Sequence, residues 1–322
     1  MKRITIVGVS NCGKTCYFYG MMRTMIDGMH GFQLRLMNPD DFIKINQGIK
    51  RLSDISLPLS DRFPNPSSGV EKYDMELMYG FSGISQFQWV DYPGEYVSKL
   101  PGDFMAILAD TSCLLVCVDG SLMQGTAADV EDIIDDIRND CGREVNNALL
   151  QAANINGGLP PVCVIITKYD MVSQELKKEA CVEEIIQGVF SSLFTQVDGK
   201  AQTEVMICPV SLGKDILSGG RMRPKYMEKP ICFANYVIFM EELRNYIATV
   251  QTDAQARQAA IDAYNNKGIL GRLISEKPVP LTPAQAQAID AALADKNKTL
   301  DALRGELEAF SHYVNGVKKD WT

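Results

Sequence analysis

Nine cysteines occur in this chain of 322 residues, yet no two are spaced as CxxC, and histidine is nearly absent, with only His30 and His312. Structural zinc has no ligand framework in such a pattern. Positive charge is also scarce: 32 Lys and Arg face 40 Asp and Glu, a net charge of −8, so no broad basic surface is available to neutralise a nucleic-acid backbone or anionic lipid. Nucleic acid is therefore not expected as a partner. No segment approaches the ~20 apolar residues that cross a bilayer. The apolar run after Met1-Lys2-Arg3 breaks at Gly8 without a cleavage site, and neither Lys2 nor the terminal "KKDWT" suits lipidation. Cysteines such as Cys113 and Cys117 lie inside the apolar run "SCLLVCVDG" and read as small buried hydrophobes, in keeping with a reducing, cytoplasmic setting.

Hydrophobic residues, by contrast, make up 46% of the chain and charged residues 22%, enough to build a large globular core. The length suggests one large domain with an appendage, or two domains. Near the start, Ile4 to Val7 form an apolar, β-rich run that stops at Gly8. The next residues, Gly8-Val-Ser-Asn-Cys-Gly13-Lys14-Thr15, match G-x-x-x-x-G-K-[ST], and good helix formers follow to about Ile26. The spacing has a physical reason. Gly8 and Gly13 permit backbone angles and close approach that a Cβ would block. Successive N–H groups entering a helix converge on one spot and favour an anion. Gly8, Asn11, Cys12, Gly13, Lys14, Thr15 and Cys16 are thus the expected phosphate-binding residues, with Lys14 supplying a point charge for the outer phosphates and Thr15 a hydroxyl for Mg²⁺.

Further on, the strand-like "QFQWV" ends on Asp91 and turns through Tyr92-Pro93-Gly94 to Glu95. Asp91 to Gly94 read D-x-x-G, and "PVCVIITKYD" ends in Thr167-Lys168-Tyr169-Asp170, which reads [NT]-K-x-D. With the phosphate loop before them, these motifs resemble the translation-factor-like GTPases, the class that includes the Ras-like small GTPases. That resemblance implies that Asp91 serves the metal, that the Gly94 N–H meets the γ-phosphate, and that Lys168 lies over the base and ties back to the phosphate loop. The same resemblance implies that Asp170 reads the base, and the chemistry suits it: a carboxylate there can accept parallel hydrogen bonds from guanine N1–H and the 2-amino group, whereas adenine would leave it unpaired at a cost of about 1–3 kcal/mol. In "EVMICPVSLGKD", Ser211-Leu212-Gly213-Lys214 resembles the family's S-A-K loop beneath the guanine carbonyl, with Leu212 and Gly213 departing from it.

Other departures concern the reaction. The family places a threonine on Mg²⁺ before its second strand; here "DRFPNPSSGVEKYDMELMYGF" contains none, and Ser67, then Ser68, are the candidates, beside the alternative of a Pro/Ser-rich loop without metal contact. Glu95 stands where many relatives carry a water-orienting glutamine, so Lys14, Gly94 and Glu95 form the expected catalytic set and slow turnover is expected. No arginine is identifiable as a finger in cis; Arg62 comes nearest, with a solvated side chain as the alternative.

Alternating strands and helices predict an α/β fold: a three-layer α/β/α P-loop NTPase with a mostly parallel sheet over residues 1–250, carrying an insertion at about 31–66. Within that insertion "GFQLRLM" reads as a strand and "NPDDFIKINQGIKRLSD" as a helix capped at Asn38; it is either a regulatory contact or scaffold decoration. The loop 217–230 follows the last expected strand. Tyr236 to Tyr264 and Ile289 to Val317 both step at heptad spacing, with Thr282-Pro283 opening the second run. Residues 251–322 are accordingly expected to form a C-terminal α-helical hairpin offering a surface for a protein partner or for self-association. The expected activity is that of a cytoplasmic switch that binds Mg²⁺ and GTP or GDP and hydrolyses GTP slowly to GDP and phosphate. The alternative is a catalytically weak or inactive nucleotide-bound scaffold; an ATPase is disfavoured by Asp170.

Overall fold

The computed structural model describes residues 1–65, 69–195, 203–266, 279–280 and 282–321. At its centre, β1 (Lys2–Val7), β5 (Cys113–Asp119) and β6 (Val162–Thr167) are apolar runs covered on both sides, the pattern of strands in the middle of a parallel sheet. They join β2 (Phe32–Leu36), β3 (Glu71–Tyr79), β4 (Ser82–Asp91), β7 (Glu204–Pro209), β8 (His312–Val314) and β9 (Val317–Lys319) in a nine-stranded sheet ordered β2-β3-β4-β1-β5-β6-β7-β8-β9. The five strands β4, β1, β5, β6 and β7 run parallel, while both flanks are antiparallel. The sheet therefore has a parallel centre, as expected, and antiparallel flanks, which were not. The outer strands close on their neighbours by hairpins or long returns, and a hairpin imposes an antiparallel pair.

Helices cover both faces. On one, α1 (Lys14–Ile26), α2 (Pro39–Ser53) and the first half of α10 (Lys229–Asn265) contribute to a core with Ile6, Trp89, Cys117 and Ile165. On the other, α4 (Glu95–Lys99), α5 (Gly102–Ala109), α6 (Val130–Ile137), α7 (Arg143–Asn156), α8 (Glu179–Val189) and α9 (Ser191–Phe194) pack against Val7, Val116 and Val164. The insertion forms as expected: β2 extends the sheet, and α2 starts with Asn38 accepting from the Asp40 N–H and Pro39 in the first turn. The short α3 (Leu59–Arg62) follows it.

The C-terminal part differs from the heptad reading. Thr282 and Gln285 form a reciprocal capping box that opens α11 (Pro283–Gly305). Lys296 on α11 lies over the rings of Phe239 and Tyr246, and the Lys229 Nζ donates to Glu306 at 2.6 Å, so α11 runs back along α10 toward its start. The helix ends at Gly305, however, and Phe310, Val314 and Val317 do not continue it. Leu307 and Phe310 join the core, while β8 and β9 add to the sheet beside β7. Trp321 stacks on His312 with ring centres 4.1 Å apart. The expected boundary near residue 250 falls inside α10, and the described residues after Gly305 belong to the core and the sheet. Periodicity misled here because β8 and β9 are each three residues long, too short to show an alternation of their own.

Candidate nucleotide-binding site

The parallel order brings the carboxyl ends of β1, β4, β5, β6 and β7 to one edge, where a doubly wound sheet opens a crevice. Gly8 leaves β1 with φ +154°, and an added Cβ would meet the Cys117 carbonyl oxygen at 2.9 Å. Asn11 (φ +66°) and Gly13 (φ +98°) bend the chain into α1, and Gly13 caps that helix through its backbone alone. The loop's N–H groups are thereby gathered at a helix N-terminus. Lys14 is 7% exposed, and its ammonium donates to the carbonyls of Gly8 (2.7 Å) and Val9 (3.0 Å), arching over the loop.

From the other side, β6 hands over the second motif. The Thr167 hydroxyl lies 2.5 Å from the Cys12 carbonyl and 3.1 Å from that of Val118, so it ties the phosphate loop to β5. Lys168, with φ +50°, donates to the Asn11 carbonyl at 3.2 Å and pairs with Asp119 at the end of β5. Two of the four residues of the T-K-x-D motif therefore hold the phosphate loop directly. Asp170 sits on the short 3₁₀ turn Tyr169–Met171; its carbonyl accepts from Lys177, while its carboxylate makes no hydrogen bond or ion pair among the described residues.

Asp91 ends β4, paired in parallel with Ile6 and in antiparallel with Glu71. It is 5% exposed, and its Oδ1 is buried without a partner. Burial pushes its carboxyl up to about 7; the Lys14 ammonium works against that and the Glu71 charge adds to it. A buried carboxylate oxygen with no donor is the chemistry that suits a hard divalent cation, directly or through water. The Asp91 carboxylate therefore fits Mg²⁺, and Thr15, the second expected ligand, stands in the first turn of α1 and lines the cavity. Gly94 presses on the phosphate loop so closely that a Cβ would lie 2.1 Å from the Ser10 nitrogen and 2.5 Å from the Val9 carbonyl carbon. Glu95 is placed elsewhere: it opens α4, is exposed, and pairs with Lys99 at 2.6 Å.

These segments surround a cavity of about 330 Å³. Of the expected residues, Asn11, Gly13, Lys14, Thr15, Cys16, Gly94, Thr167, Lys168, Asp170 and Leu212 line it, whereas Gly8, Cys12, Asp91, Glu95 and Ser211 do not. Ser67, the expected metal ligand, and Ser68 lie outside the described residues. Ser211 is engaged by another loop. Its N–H donates to the Lys225 carbonyl and its carbonyl accepts from the Lys225 N–H, so its amide is not offered to a base. Arg62 is neither solvated nor a finger. It is 1% exposed, and its guanidinium donates to the carbonyls of Leu52 and Gly220, joining the insertion to the loop after β7.

Several lining residues belong to none of the motifs. Phe63, Pro64 and Asn65 form one wall beside the phosphate loop, and Met171, Ile216, Leu217 and Met227 form an apolar one. The "FPNP" turn signal could have drawn attention to the first group. The second is drawn from the turn after β6, the turn after β7 and the residue Met227 before α10, stretches that only the tertiary structure brings together. Cys16 also lines the cavity, and burial pushes its thiol up to about 11, so it is a neutral wall residue.

A scan against protein-family models gives no match for this chain, and neither does a search of curated proteins. Among solved structures, it is similar to one described as "Signal recognition particle receptor SRb-GTP/SRX complex from Chaetomium thermophilum", with 17% identity over 69% of this chain and 99% of that chain and a TM-score of 0.38. A likeness that distant carries no weight beside the residues that build the crevice.

Proposed function

We propose that this protein binds a guanine nucleotide together with Mg²⁺ and acts as a GTP-dependent switch that hydrolyses GTP slowly. The observation that carries the reading is the joining of the two recognition loops. Thr167 and Lys168 bond to the carbonyls of Cys12 and Asn11, which sets the unpaired Asp170 carboxylate at a fixed span from the phosphate loop. A ligand with phosphates at one end and a guanine edge at the other is what two loops joined in this way would hold.

Within this reading the loop amides from Asn11 to Cys16 hold the phosphate oxygens. The Lys14 ammonium exchanges the Gly8 and Val9 carbonyls for the outer phosphates, where it offsets charge that grows as the terminal bond breaks. Thr15 and Asp91 would hold the Mg²⁺, which supplies charge neutralisation across the outer phosphates. Gly94, lying against Ser10, gives its N–H to the terminal phosphate and reports its presence to α4. Glu95, engaged by Lys99, does not orient a water in this arrangement, which accords with slow turnover. The apolar wall of Met171, Leu212 and Ile216 excludes water from the base and strengthens the Asp170 hydrogen bonds.

The nine free thiols suit a reducing, cytoplasmic compartment. Beyond Leu243, α10 is largely exposed, as is the first half of α11, and we assign this pair of helices to a protein partner or to self-association. No helix among the described residues is long and apolar enough to cross a membrane. The test is direct: mass spectrometry of the nucleotide released on denaturing the purified protein, followed by single-turnover phosphate release from bound GTP. Guanine nucleotide with slow release of phosphate supports the reading; bound GTP that is never cleaved would make the protein a nucleotide-bound scaffold; adenine nucleotide would overturn it.

A further inference from the structure

The threonine that the resemblance calls for is missing, but the strand that follows, β3, begins with a carboxylate directly opposite Asp91. Glu71 is the first residue of β3 and pairs directly with Asp91 across the antiparallel ladder. Residues opposed in this way point to the same face of the sheet, with Cβ atoms about 5 Å apart. That face is the one α1 covers, because Tyr73 and Trp89, next along the same face of the two strands, both pack on Phe18. Tyr19, one helical turn after Thr15, is close to both acids: burial raises its phenol, the Glu71 charge adds to the effect, Lys44 opposes it, and Asp91 contributes to it.

Two carboxylates directly opposed in a ladder repel each other, and here one of them is almost wholly buried. Asp91 Oδ1 has no donor. Glu71 is partly balanced: Lys44, on the inserted helix α2, donates to its Oε2 at 2.8 Å, and the Tyr73 hydroxyl donates to the same oxygen. Its Oε1 takes no hydrogen bond or ion pair from any described residue. A buried, unpartnered Asp91 oxygen and the half-exposed Glu71 carboxylate thus lie on the same face of two paired strands, the face that α1 covers.

We propose that Glu71 is a second carboxylate of the divalent-cation site, acting with Asp91 and Thr15, and that Lys44 of the insertion competes with the cation for it. The inference rests on the reading of this crevice as a site for a nucleotide and its cation. The insertion thereby gains a role in the site, since α2 supplies a movable counter-charge and occupancy is felt at the helix that carries Lys44. An ordinary structural ion pair would behave differently, since removing either partner would only loosen the fold.

The experiment uses the full chain loaded with GDP and Mn²⁺ as the probe, with free Mn²⁺ read by electron paramagnetic resonance and thermal unfolding followed in parallel. Glu71→Gln is expected to weaken Mn²⁺ binding about tenfold. Lys44→Ala is expected to tighten it severalfold, because a competing positive charge is removed. Opposite signs from the two halves of one ion pair are the signature. If neither substitution moves Mn²⁺ affinity while Asp91→Asn weakens it, Glu71 is only a structural partner and the inference is overturned, with the nucleotide reading intact. If the chain retains no guanine nucleotide, or Asp91→Asn leaves Mn²⁺ binding unchanged, that reading fails and the inference fails with it. Lys44 is exposed, so its variant decides the matter even if Glu71→Gln does not fold.

Discussion

Replacing Gly94 by alanine adds a single methyl group at the place where the D-x-x-G turn touches the phosphate loop. The new carbon would lie 2.1 Å from the Ser10 nitrogen, 2.5 Å from the Val9 carbonyl carbon and 2.7 Å from the Ser10 Cα. All three are backbone atoms, so no rotamer change relieves the overlap. Ordinary contact between such atoms is about 3.5 Å, and the turn must withdraw from the loop by roughly 1.4 Å to restore it. Forced overpacking of this kind costs about 1–3 kcal/mol, which an unfolding titration in urea resolves. Function should suffer more selectively: a withdrawn Gly94 N–H no longer reaches a terminal phosphate, so the preference for GTP over GDP should fall toward unity while GDP affinity changes less. Gly102 provides the control. It also stands at the start of a helix, but a Cβ there meets nothing within 4 Å, and Gly102→Ala should leave both properties unchanged. A Gly94→Ala protein with unaltered stability and an unaltered GTP to GDP ratio would refute the reasoning, because it would mean that the turn and the loop do not touch.

Asp170→Asn removes a carboxylate that bonds to no described group, so stability should hold while GTP affinity falls by about 3 kcal/mol, roughly a hundredfold, and ATP affinity stays the same; competition binding checks this. Asp91, whose carboxyl burial pushes from 3.8 up to about 7, holds its proton more tightly folded than unfolded. In chelator-treated protein the fold should therefore lose up to a few kcal/mol as pH rises from about 4 to about 7, and Asp91→Asn should remove that slope from urea midpoints measured across the range. Arg62→Met strips donors from a buried and a half-buried carbonyl and should destabilise the protein by about 1–3 kcal/mol; Arg62→Lys should not restore it, since one ammonium cannot reproduce the fork that spans Leu52 and Gly220, as differential scanning fluorimetry would report.

The amino-acid order alone determined the phosphate loop, the D-x-x-G turn and the T-K-x-D turn, because each is a short run whose residue types are dictated by local backbone angles, by an anion or by a base edge. It also gave the inserted strand and helix, whose cap at Asn38 is local chemistry. Which of the expected residues face the cavity was settled only by packing. Ser211 looked like a base contact until its backbone bonded to Lys225, Glu95 turned to Lys99, and Arg62 was buried between two carbonyls that are distant in sequence. The last strands were illegible for a related reason: three residues beside β7 take their conformation from the edge they complete, not from any periodicity of their own. The opposition of Glu71 to Asp91 belongs to the same class. Twenty positions separate them in the chain, and only the register of an antiparallel ladder makes them neighbours.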